Sequence, residues 1–167
     1  RRVITGHNDE GKSIVAYDGP PIKLRSLFEM WVTDSSPADN KHKIDAAKRK
    51  VRLEPPPNGS IFRFFKIFSE NPSISTEELE KDIATRFAAM DATHCRIDTS
   101  RSPGMHKTKT IDYIILLEGE VTLLLDEGEV DLKPFDVVIQ RGTNHAWVNK
   151  GSKPALLAAV LIDAEPI

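Results

Sequence analysis

An all-β fold, a closed barrel or sandwich of short antiparallel strands, is the architecture this sequence predicts. Three observations carry it. From residue 103 onward, apolar runs recur at intervals of about ten residues, each stopped by a tight-turn signal. There is no alternation of strand and helix patterns and no glycine-rich phosphate loop. One segment only, near residues 76–91, has a clear helical apolar period.

The elements follow in chain order. Val3-Ile4-Thr5 is β-branched, and Asn8-Asp9-Glu10-Gly11 is a polar turn ahead of the run Ser13–Tyr17. Asp18-Gly19-Pro20-Pro21 stops that run, and Leu27–Thr33 forms the next. Residues 37–60 are polar and proline-rich, as an exposed connection would be. Ser60–Phe68 contains four phenylalanines and reads as a strand, because aromatics suit a pleated, half-buried surface. Ser75 with Glu78 makes a capping box, and Leu79, Ile83, Phe87 and Met90 give the following helix one apolar face. That face is expected to pack on the barrel wall.

The remaining strands are Ile111–Leu117, Val121–Leu125, Val130–Leu132, Val137–Gln140, His145–Val148 and Ala155–Ile162. Glu118-Gly119 and Glu127-Gly128 supply the positive φ that tight hairpins need. In the strand 111–117, Asp112, Ile114 and Leu116 share one face, and Ile111, Tyr113, Ile115 and Leu117 the other. Both faces are apolar, so the strand is expected to be covered on both sides. A lone carboxylate in such a strand is costly unless it is paired, protonated or metal-bound, which singles out Asp112.

Composition sets the outer limits. The 167 residues suit one domain, divided into N-terminal strands (1–36), a connection (37–60), a strand with the helix (61–102) and a core (103–165). A net charge of −2 gives no field that would draw nucleic acid or a membrane surface. No run approaches the ~20 apolar residues of a membrane span. The single cysteine, Cys95, rules out an intrachain disulfide and reads as a packed thiol, so a reducing, cytoplasmic setting is expected. Residues 1–6 lack a signal-peptide core, and because residue 1 is not Met an N-terminal piece is expected to precede it.

Two stretches resemble the paired motifs of the cupin superfamily. In Gly104–Gly119, His106 falls on the first histidine of the first motif, Asp112 on its glutamate and Gly119 on its closing glycine, while Thr108 replaces the second histidine. In Pro134–Asn149, His145 falls on the last histidine of the second motif and Asn149 on its asparagine; Phe135 replaces a glycine. The resemblance implies a double-stranded β-helix, a jelly-roll-like barrel with one helix. It also implies a polar pocket lined by His106, Asp112 and His145.

In that family a divalent metal sits on three histidines and a glutamate. The resemblance therefore makes His106, Asp112 and His145 candidate ligands for Fe, Zn or Mn. The same three are the candidate catalytic residues of a metal-free site, with His145 and Asp112 as base and acid and His106 polarising an oxygen. Thr108, Trp147 and Tyr113 are the expected substrate contacts. Strand parity turns Tyr113 away from Asp112, so it is a wall residue rather than a catalyst. His7, His42 and His94 are read as ordinary surface or core histidines.

The implied function is a small enzyme of lyase or isomerase type acting on a carbonyl-bearing or polyketide-like molecule of secondary metabolism. Its chemistry would be dehydration, isomerisation, cyclisation or decarboxylation. The alternatives are an Fe(II)-dependent dioxygenase on two histidines and a carboxylate, and a non-catalytic small-molecule binder. The helix near residues 76–91, the 37–60 connection, or both are candidates to cover the pocket. The resemblance also implies a homodimer paired through N-terminal strands, here residues 3–17, and sheet edges, and the physical motive is that unpaired edges are a liability.

Overall fold

The structure is a computed structural model describing residues 1–166. Its strands are β1 (Arg2–His7), β2 (Ser13–Gly19), β3 (Ile22–Leu24), β4 (Leu27–Thr33), β5 (Ser60–Ile67), β6 (Thr110–Glu118), β7 (Val121–Leu125), β8 (Glu129–Leu132), β9 (Val137–Arg141), β10 (His145–Val148) and β11 (Ala155–Asp163). One α-helix, α1 (Thr76–Ala89), and a 3-10 turn (Thr93–Cys95) lie between β5 and β6.

A six-stranded antiparallel sheet has the order β3-β4-β5-β11-β6-β9, and a three-stranded sheet the order β10-β7-β8. β1 and β2 form a separate hairpin. The larger sheets enclose the core. Ile61, Ile114, Leu116, Leu157, Ala159 and Leu161 from the six-stranded sheet meet Val121 and Leu132 from the three-stranded one. These inward residues alternate along each strand, and their removal from water is the main stabilising term.

The turns behave as their residues require. Gly119 and Gly128 have φ of +82° and +83°. A Cβ on Gly119 would sit 2.9 Å from backbone atoms of Pro154 and Ala155, so the β6–β7 hairpin has no room for a side chain there. Helix α1 begins with the capping box: the Ser75 hydroxyl accepts from the Glu78 amide, and the Glu78 carboxylate accepts from the Ser75 amide. The helix ends at Ala89 rather than residue 91. Met90 caps it by donating to Phe87 and Ala88 carbonyls, and Asp91 takes a positive φ of 55°.

One expectation is overturned. β6 is covered on one side only. Asp112, Ile114 and Leu116 are buried, but Ile111, Tyr113 and Ile115 are exposed on the outer face. Apolar composition on both faces did not mean burial on both faces.

Candidate active site

The inner face of the six-stranded sheet and the start of β10 wall a cavity of about 940 Å³. Its polar side is built by three elements. β6 presents Asp112, opposite Gln140 on β9 and Leu161 on β11. The segment before β6 presents His106 and Thr108. β10 opens with His145, which forms an isolated antiparallel bridge to His106, each amide donating to the other's carbonyl at 2.9 Å. That bridge holds the imidazoles with ring centroids 4.3 Å apart.

Both imidazoles are oriented by main chain. His106 Nδ1 lies 2.9 Å from the Gly104 carbonyl, and His145 Nδ1 lies 2.9 Å from the Thr143 carbonyl. A carbonyl only accepts, so in the neutral ring Nδ1 carries the hydrogen and Nε2 is left as a bare acceptor. Burial lowers the pKa of His106. Burial, together with the neighbouring His106, pushes His145 down to about 3. The pair is therefore neutral near physiological pH.

Asp112 is 5% exposed, and its Oδ1 has no hydrogen-bond partner. Burial raises its pKa to about 6, opposed by the Thr110 hydroxyl and the Arg63 guanidinium. Its two protonation states are thus both accessible near neutral pH. Thr108 lines the cavity, but its hydroxyl is engaged 2.7 Å from that of Thr110. Trp147 also lines the cavity, edge-on to His145 at 5.7 Å. Tyr113 does not belong to this site: it is 49% exposed on the opposite face of β6.

Arg63 is a cavity residue that the sequence reading did not single out. It pairs with Glu29 through two contacts of 3.1 and 3.4 Å, and both side chains are almost fully buried. Arg63 also donates to the Arg52 carbonyl. Burial raises the Glu29 carboxyl pKa, with Arg63 opposing it. The signal was present: Ile61, Arg63 and Phe65 share a parity on β5, which places a guanidinium among inward apolar residues.

Apolar residues complete the cavity. Leu79, Ile83 and Phe87 of α1 and its capping residue Met90 line it, with Phe87 edge-on to His106 at 5.0 Å. The helix thus covers the cavity, whereas the 37–60 connection contributes only Leu53. Arg25, in the β3–β4 turn, holds the helix through Asp82 at 3.3 Å.

The fold family implies a divalent metal, and its fit can be tested on the donors. The two bare Nε2 atoms suit a metal, since backbone-fixed Nδ1–H groups commonly orient histidine ligands. The third ligand fails. The donor atoms of His106, Asp112 and His145 are not gathered within 4.8 Å of one another, and Thr108 stands where another histidine would complete the set. The expected three-residue metal set is therefore not closed in this structure. Among the described residues, the trio that meets that distance is Glu54, His94 and Cys95. There His94 pairs with Glu54 at 2.8 Å, and burial beside Glu54 pushes the Cys95 thiol up to about 12, which keeps it protonated. His7 and His42 are exposed surface residues, as read from the sequence.

Comparison with known proteins identifies the family. A family profile described as "Cupin domain" matches residues 93–162. The cupin-domain-containing oxidoreductase fogC of Aspergillus ruber is 33% identical over 179 residues, covering 99% of this chain and 73% of the relative. Phomopsin biosynthesis cluster protein C' of Diaporthe leptostromiformis is 29% identical over 180 residues, covering 99% of this chain and 79% of the relative. A solved cupin superfamily protein from Desulfitobacterium hafniense aligns with a TM-score of 0.41 at 12% identity, over 85% of this chain and 82% of that one. With both motifs in place and a relative at one-third identity along nearly its whole length, this chain belongs to the cupin superfamily.

Proposed function

We propose that this cupin is an enzyme of secondary metabolism that relocates a proton on an enolisable, carbonyl-bearing, largely apolar molecule of polyketide type. The observation that carries the reading is the unpartnered, buried Asp112 Oδ1, which lines the same cavity as two bare imidazole nitrogens. All three are acceptors. Two of the nearby donors are already engaged, Arg63 with Glu29 and backbone and Thr108 with Thr110. A matching ligand brings its own donors, which an enol or phenol does and a plain ketone does not.

The roles follow from the acidities. His145, held down to about 3, is a poor proton acceptor at neutral pH, so the base is Asp112 rather than His145. The Asp112 carboxylate takes a proton from the carbon next to the carbonyl, giving an enolate and a protonated Asp112, and the same carboxyl then returns that proton to the enolate at another position. His106 and His145 accept hydrogen bonds from substrate hydroxyls and orient the ring or chain. Phe65, Phe87 and Trp147 hold the apolar body and exclude water. Isomerisation, cyclisation and dehydration all use this step.

The test is solvent deuterium exchange at the α-carbon of an alkyl-substituted β-diketone, followed by proton NMR. The wild-type protein should accelerate exchange, and Asp112→Asn should remove at least ~tenfold of that acceleration. No acceleration by wild type, or equal acceleration by the variant, would sink the proposal.

A second reading, oxidoreductase chemistry, is favoured by the names of relatives such as fogC and by the two free Nε2 atoms. It needs a third ligand that the present arrangement does not bring into place. Elemental analysis of freshly purified protein separates the two: a transition metal at one equivalent, lost in His106→Ala, would favour the second reading over the first.

A further inference from the structure

A second cluster of ligand-type side chains lies outside the cavity. The 3-10 turn Thr93–Cys95 brings the side chains of two adjacent residues, His94 and Cys95, together. Glu54 joins them from the 37–60 connection, 40 residues away in the chain. His94 Nε2 lies 2.8 Å from Glu54 Oε2 and 3.5 Å from Cys95 Sγ. One donor atom from each residue lies within 4.8 Å of the others. None of the three lines the cavity.

The spacing suits a tetrahedral ion. Zinc bonds of about 2.3 Å to sulfur and about 2.1 Å to nitrogen and oxygen put the S···N edge near ~3.6 Å and the N···O edge near ~3.4 Å. The sulfur and nitrogen already stand at that separation, and the Glu54–His94 pair has to open by only about 0.6 Å. A thiolate, a carboxylate and a neutral imidazole together cancel the charge of a divalent cation. Soft sulfur and borderline nitrogen suit zinc, whereas calcium and magnesium take oxygen alone.

The surroundings hold the ligands in place. Glu54 Oε1 accepts from the Lys109 amide at 2.9 Å, which leaves Oε2 for the ion. The Cys95 carbonyl accepts from the Lys107 amide at 2.8 Å, and the Cys95 amide donates to the Ala92 carbonyl at 3.0 Å. Outer bonds of this kind orient ligands before a metal arrives. Cys95 is buried, while the His94 and Glu54 side chains are 61% and 24% exposed, so the cluster has a closed floor and an open entry side.

We propose that Glu54, His94 and Cys95 bind a zinc ion, with water as the fourth ligand. Binding replaces the Glu54–His94 hydrogen bond. The imidazole hydrogen moves to Nδ1, Nε2 and Glu54 Oε2 become ligands, and the Cys95 thiol releases its proton to solvent. The ion acts as a brace. Glu54 and Cys95 each hold a main-chain amide, of Lys109 and Lys107, on either side of Thr108 and next to His106, so the metal steadies the segment that carries two cavity residues. It also ties the 37–60 connection to the small core of Phe87, Ala92 and Cys95 under α1.

The test is titration of the chelator-stripped, reduced full chain with Co2+, followed by Zn2+. Cobalt at one equivalent should give a thiolate-to-metal charge-transfer band with tetrahedral d–d bands, and zinc should displace both. Cys95→Ala should abolish the charge-transfer band. His94→Gln, at an exposed side chain, guards against misfolding and should weaken zinc binding at least ~tenfold. Zinc should raise the melting midpoint of wild type but not that of His94→Gln. His106→Ala should keep the band, which separates this site from the cavity. No charge-transfer band in wild type, a band that survives Cys95→Ala, or undiminished zinc binding in His94→Gln overturns the proposal. So does a band lost in a folded His106→Ala, which would put the metal in the cavity.

Discussion

Replacing Asp112 with Asn should stabilise the protein at neutral pH but not at acid pH. The carboxyl starts from 3.8 and is raised to about 6 by burial. The folded state therefore holds its proton more tightly than the unfolded state does. Below about pH 4 both states are protonated and the group contributes no difference. Between about pH 4 and 6 the unfolded chain releases the proton first, so stability falls as pH rises. Above about pH 6 both are ionised and the full shift of about two units acts against folding. At 1.36 kcal/mol per unit this is about 3 kcal/mol.

Asn carries no charge, so it escapes that loss, but it leaves amide donors to satisfy at a cost of about 1–2 kcal/mol at every pH. The stability of the variant minus that of wild type should then rise by about 3 kcal/mol between pH 4 and 7.5. Urea unfolding at half-unit pH steps reads this directly. In thermal melts it is a change of roughly 6–12 °C in the difference between the two midpoints. A difference that stays flat with pH, or shrinks toward pH 7.5, would refute the assignment of Asp112 as a buried acid of raised pKa.

Because folding lowers the pKa of His106 and His145, their contribution is fully present above about 6.5 and is lost as pH falls; His145→Gln should flatten the acid limb of the stability profile, and imidazole nitrogen NMR should find both rings neutral and Nδ1-protonated at about pH 7.5. Arg63→Met or Glu29→Gln alone should cost about 3–5 kcal/mol in urea unfolding by stranding a buried charge, while Arg63→Met with Glu29→Leu should recover much of it. Phe135→Gly should raise stability by about 1 kcal/mol, since Phe135 sits at a φ of 74° with its side chain 78% exposed; an unchanged or lower melting midpoint would contradict that.

How much was legible in the chain depended on range. The hairpins after residue 110 were readable because turn glycines and period-two apolar runs are local signals. The capping box at Ser75 and Glu78 was equally local. The helix stop was misplaced by two residues because Met90 and Asp91 cap it without the glycine that usually marks such an end. Strand parity correctly set Asp112 apart from Tyr113, yet Tyr113 was still expected to touch substrate. An apolar strand face looks the same in sequence whether a core or solvent covers it. The Glu29–Arg63 pair depends on the register of β4 against β5, 34 residues apart, which no local pattern encodes. Motif spacing brought His106, Asp112 and His145 to one cavity. It did not fix whether their side-chain tips converge, because that depends on the reach of an aspartate and on rotamers set by neighbouring strands.

The alternation along β6 has an evolutionary corollary. Even-numbered positions from 110 to 116 serve the interior and odd-numbered ones from 111 to 117 the exterior, so eight consecutive residues answer to two separate selective pressures. Point changes on one side can drift without disturbing the other. A single-residue insertion or deletion within the strand cannot, because it would carry the carboxyl of Asp112 outside and drive an isoleucine or tyrosine into the chamber. Length variation among relatives should therefore accumulate in the connections before Ser60 and around Gly128, leaving the span from Thr110 to Glu118 constant in length.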